Sequence, residues 1–173
     1  MLTAEQSRYI VLKILIPTVI INFFLNAGIG YLTFHRVPIV PLWGNPGVGP
    51  DTLGTTFFLT LITFLILATI VRWDIASGNV NAWPRARQRL WLVTNWPTGN
   101  LAGAFLLGLA YLAVVGPLAI ALLHFLGPPA YSFSGAVLVK AVYSALLSVL
   151  AVPVIVALAL RQQRHGEISP TDE

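Results

Sequence analysis

The sequence predicts an all-α membrane protein with four transmembrane helices, both termini cytoplasmic, and a short interfacial amphipathic helix in its long cytoplasmic loop. Three observations predict it. The chain is 57% hydrophobic and 9% charged, where a soluble domain has roughly 45–50% and 25%. Its apolar residues fall in four nearly uncharged blocks of about 20 residues, the length that crosses ~30 Å of hydrocarbon at 1.5 Å per residue. Eight of the ten lysines and arginines lie on one side of those blocks, and basic residues in short loops stay in the cytoplasm. The whole chain, 1–173, is read as one membrane domain.

The first span covers about 14–34. Glu5 beside Arg8 and Lys13, an overlong apolar stretch and no clear cleavage site argue for a retained helix over a signal peptide. Asn22 and Asn26, four apart, share one face of it. The loop 35–51, HRVPIVPLWGNPGVGPD, holds four prolines and three glycines, which forbids a regular helix and predicts a turn-filled excursion: an interfacial connector, a lid or a docking surface. Trp43 is expected at headgroup level, and Asp51 as the N-cap of the second span.

That second span, about 52–71, carries Thr52, Thr56, Thr60 and Thr63 as a single stripe. The cytoplasmic loop 72–100 follows, with Trp73, Trp83, Trp91 and Trp96 among its arginines. Pro84 can open a short amphipathic helix over 85–93, and Asn100 can cap the third span. The tryptophans are read as an aromatic belt, not a nucleic-acid platform.

The third span, about 101–126, has Gly99, Gly103, Ala104 and Gly108 at close spacing, a face for packing within the monomer or against a partner. The fourth, about 135–160, carries Lys140, Ser144 and Ser148, again four apart, before a short cytoplasmic tail, 161–173. Pro117 and Pro153 interrupt these two helices and bend them or shape a cavity.

Polar side chains inside spans cost free energy unless they face protein or water. Two readings of the stripes therefore stand. One is interhelical glue, worth roughly 0.6–2 kcal/mol per bond. The other is a polar cavity open to the outer side, with Asn22, Asn26, Asp51, Thr56, Thr60, Lys140 and Ser144 as candidate substrate-binding residues. Lys140 either snorkels to the outer interface or lies about 12 Å deep beside a partner such as Asn26, Asp51 or an anionic ligand.

Enzymatic signatures are missing, so no catalysis is expected: no Walker loop, dinucleotide fingerprint, zincin motif or nucleophile elbow. The absence of cysteine removes thiolate chemistry, His35 and His124 alone do not make a metal site, and no cofactor is expected. The net charge of +4 reads as topology and lipid contact.

Asn26, the run Pro41-Leu42-Trp43-Gly44, Asp51 with Thr55 and Phe57, and Lys140 with Pro153 together resemble a family of small four-span bacterial inner-membrane proteins without an assigned function. The resemblance implies a bacterial inner membrane and no mechanism. Three functions compete. The first is a permease-like or headgroup-binding protein, oligomeric, using the outer cavity. The second is an accessory subunit of a larger membrane complex, contacting partners through the small-residue face of Gly99, Gly103 and Gly108 and through the tryptophan-rich loop. The third is a lipid enzyme built on Asp51 with His35 or His124.

Overall fold

A computed structural model of the chain describes residues 8–80, 96–97 and 99–161; the helix expected over 85–93 and the tail beyond 161 lie outside them. Among the described residues, four helices are long and apolar enough to cross a membrane. A π-helical segment, Tyr9–Leu15, runs directly into α1 (Ile16–Phe34). Then come β1 (Ile39–Pro41), α2 (Val48–Ala76), α3 (Asn100–Leu126), β2 (Ala130–Ser132) and α4 (Phe133–Arg161). Pro17 accounts for the change of winding. It has no N–H for the carbonyl one turn back, and its ring crowds that carbonyl, so the turns before it widen.

Each apolar block lies within one helix, and α2 extends well past its block at both ends. It opens a turn early because Gly47 is the cap and Pro50 sits in the first turn, where amides have no helical acceptor to lose. Asp51 is therefore not the cap but a first-turn acid, free to reach another helix. At the other end Arg72, Trp73 and Asp74 continue the helix, because polarity alone does not break one. Gly78, at φ +73°, ends it. The Asn79 amide donates to Asp74 O and the Gly78 amide to Ile75 O, the paired closure that a left-handed glycine permits. Similarly Gly99, not Asn100, caps α3, and the Asn100 Oδ1 is buried without a partner.

The proline-rich loop contains what its composition conceals, a strand. β1 pairs antiparallel with β2, Val40 opposite Tyr131, and the Leu42 amide donates to Pro129 O at 3.0 Å. Beneath this ribbon, Phe34, Val40, Leu42, Val48, Tyr131 and Ala136 form an apolar cluster. A larger cluster fills the far end, around Ile14, Phe64, Leu67, Val71, Leu107, Val152 and Ile155. Polar residues occupy the band between.

Packing is a row rather than a closed square. α4 packs on both α1 and α2, and α2 packs on both α4 and α3; α1 and α2 scarcely touch. The order across the molecule is α1, α4, α2, α3. Burial runs opposite to that of a soluble protein. Asn22, Asn26, five threonines of α2, Asp74, Lys140, Ser144 and Ser148 are buried, while Phe24 is 68% exposed, Phe125 80%, and Ile21, Phe58, Ile62, Leu118 and Leu146 also face outward. A surface this apolar is stable in hydrocarbon and not in water.

Candidate functional site

The polar stripes meet along α4, and most of their hydroxyls turn inward on their own backbones. Thr52, Thr56 and Thr60 donate to the carbonyls of Val48, Thr52 and Thr56 at 2.7–2.8 Å, which satisfies a hydroxyl without any partner helix. Thr56 also shares a hydrogen bond with the Tyr143 hydroxyl. Across the α1–α4 seam the bonds interlock. The Asn22 Nδ2 donates to Ser148 Oγ at 2.8 Å, Ser148 donates to Ser144 O, and the Ser144 hydroxyl lies within bonding reach of both Ala141 O and Asn22 O. Thr56, Thr60, Ser144 and Ser148 have no exposed surface. Of the expected site residues, Thr56 and Ser144 bond across helices while Thr60, among the described residues, bonds only its own backbone.

Lys140 lies seven residues into α4, roughly 10 Å along the axis. It does not snorkel. Its side chain is 6% exposed, and Nζ donates to Asp51 Oδ1 at 2.7 Å, Oδ2 at 2.8 Å and Thr55 Oγ1 at 2.9 Å. The pair forms because α2 starts early enough to carry Asp51 on its first turn, and because Gly30 lets α1 settle on the lysine stem. A Cβ on Gly30 would stand 3.1 Å from Lys140 Cδ. Buried residues of α1 recur every fourth position, Asn22, Asn26, Gly30 and Phe34, so Gly30 continues the asparagine stripe that the sequence displays.

Where α1 and α2 diverge, a cavity of about 320 Å³ opens sideways, with Lys140 of α4 as its floor. Asn22, Asn26, Asp51, Thr55 and Thr63 line its polar part. Leu25, Ile29, Phe58 and Ile62 stand on its rims, all of them exposed. The structure therefore brings together Asn22, Asn26, Asp51 and Lys140 from the expected set. It adds Thr63 from the end of the threonine stripe and Thr55, which stands beside that stripe on α2.

A second polar cluster closes the far end of the same groove. Asp74, 3% exposed, accepts from the Tyr9 hydroxyl, from Lys13 Nζ at 3.0 Å and from Asn79 Nδ2 at 3.2 Å. Sequence reading assigned Asp74 to a loop because the apolar run ends before it. Asp74→Asn is expected to cost about 1–3 kcal/mol by leaving Lys13 and Tyr9 without a charged acceptor, measured as a lower unfolding midpoint in mixed micelles; an unchanged midpoint would count against this cluster as a clasp.

The glycines of α3 are consumed inside the chain. A Cβ on Gly103 would lie 3.3 Å from the Phe64 ring, and one on Gly108 3.1 Å from Phe57. Gly99 makes no such contact, meeting only Ala102 at 3.9 Å. His35 bonds Leu32 O and Arg36, His124 meets Phe125 edge to face, and Asp51 is held by Lys140, so these three do not converge. Comparison of the chain with protein-family models, curated proteins and solved structures finds no match to any of them.

Proposed function

We propose that the protein is a permease-like binding protein of a bacterial inner membrane, with both termini cytoplasmic, that receives a small solute or lipid headgroup in the cavity between α1 and α2. One observation carries this reading: a buried ion pair and two buried amides sit on the floor of a cavity whose mouth is apolar and opens along the helices. A seam that served packing alone would be filled, since interiors pack densely and a polar void exposes groups that want partners. The ribbon end is the outer side on the distribution of arginines and lysines.

The test is Asn26→Leu, which removes an amide from the cavity floor without touching the ion pair. Retention of co-purifying lipid or solute is expected to fall roughly tenfold, with the unfolding midpoint little changed. Equal retention by variant and parent would sink the reading. A non-catalytic accessory subunit is the alternative, and of its contact residues Gly103 and Gly108 pack within the chain, against Phe64 and Phe57, which leaves it Gly99 and the tryptophan-rich loop.

A further inference from the structure

Hydrogen-bond bookkeeping in the cavity identifies the charge of its guest. Lys140 has three ammonium protons, and Asp51 Oδ1, Asp51 Oδ2 and Thr55 take them. The lysine has nothing left to offer an anion. The Asn22 Nδ2 is fixed as a donor, because Ser148 Oγ already donates its own proton to Ser144 O and so must accept. Asn26 Nδ2 is fixed likewise by its bond to Asn22 O at 3.0 Å. Both amide oxygens accept nothing among the described residues, although the two side chains are only 8% and 6% exposed. The Asp51 carboxylate keeps lone pairs free as well.

The neutral donors that remain, second amide protons and threonine hydroxyls, would bind an anion beside a carboxylate. A cation would instead meet that carboxylate and two amide oxygens. Charge-assisted bonds are roughly twice as strong as neutral ones, so the cation is favoured even next to Lys140. Resting on the reading above, we propose that the cavity binds the protonated primary amine of a membrane amphiphile, with Asp51 shared between that ammonium and Lys140, and Asn22 and Asn26 accepting its other protons.

The apolar part of the guest follows from the groove. Below the cavity a second one, about 220 Å³, is lined by Pro17, Ile21, Ile66, Leu67 and Ile70 and shares Asn22 and Thr63 with the first. A hydrocarbon chain can lie along this length. Lipid tails are as apolar as the groove, so the chain localises the guest while the ammonium provides the discrimination.

The experiment measures lipid retained by the detergent-purified protein in native mass spectrometry, using phosphatidylethanolamine, phosphatidylcholine and phosphatidylglycerol with identical chains. Phosphatidylethanolamine, the one with N–H donors on its charged nitrogen, is expected to bind about tenfold tighter than the other two. Asn26→Leu should erase that preference. So should the double variant Asp51→Asn with Lys140→Met, which leaves no lone charge and whose folding is checked by its unfolding midpoint. Displacement by ethylammonium but not by phosphate is the further expected result. Equal or tighter binding of phosphatidylglycerol or phosphatidylcholine, still lowered by Asn26→Leu, overturns the amine assignment and leaves the cavity reading standing. Retention that Asn26→Leu changes for none of the three lipids overturns both.

Discussion

Lys140→Leu is expected to destabilise the protein by about 3–5 kcal/mol, the cost of breaking a buried pair by removing one partner. The leucine occupies the stem's volume, so packing loss is small. What remains is Asp51, whose carboxylate has Lys140 Nζ as its bonded cation and lies largely out of water. The check is reversible unfolding in mixed micelles, with the double variant Asp51→Asn and Lys140→Met alongside. That variant has no orphaned charge and should recover most of the loss, since replacing both members of a buried pair is often neutral. If Lys140→Leu unfolds like the parent protein, the pair is not formed in the membrane. A loss of ligand in Lys140→Leu therefore says nothing by itself about the cavity, and Asn26→Leu is the cleaner probe.

Gly108→Leu is expected to have the second-largest effect, a loss of about 3 kcal/mol through overpacking. A Cβ there would stand 3.1 Å from two atoms of the Phe57 ring and 3.2 Å from the Phe57 carbonyl oxygen. The ring can tilt, but the helix backbone cannot recede without opening the α2–α3 contact. Among the described residues α3 packs closely on α2 alone, and its hold on α4 is slighter, the Tyr111 hydroxyl donating to Leu150 O at 2.9 Å. Unfolding of the isolated protein distinguishes this from a partner-contact role: a variant that is stable alone yet fails to assemble with another protein would reverse the assignment.

Much of the fold is legible because hydrocarbon imposes a single strong rule. Length, low charge and continuous apolar runs locate all four helices, and stripes at four-residue spacing locate the faces that turn inward. Helix ends escape the same rule. Asp51 and Asp74 lie just outside the apolar blocks, yet both sit on α2, because a helix stops at its caps and not where hydropathy falls. Partner choice escapes it too. Asn26 was as good a match for Lys140 as Asp51 on spacing alone, and only the early start of α2 with the absent Gly30 side chain selects the carboxylate. The division of the threonines into glue and lining is a matter of rotation about the helix axis. Thr55 and Thr56 are adjacent in sequence and face different things, one the lysine and the other Tyr143.

The row order α1, α4, α2, α3 constrains how the chain is built. Helices 2 and 3 are consecutive and can join as soon as both are in the bilayer. The first helix has no such sibling: Asn22 finds Ser148 with its amide and Ser144 with its backbone carbonyl only on α4, across 126 and 122 residues of sequence. Until then the Asn22 amide faces lipid without its serine partner. The row therefore forms only when α4 slides between α1 and α2, and a chain truncated before α4 leaves the first helix adrift.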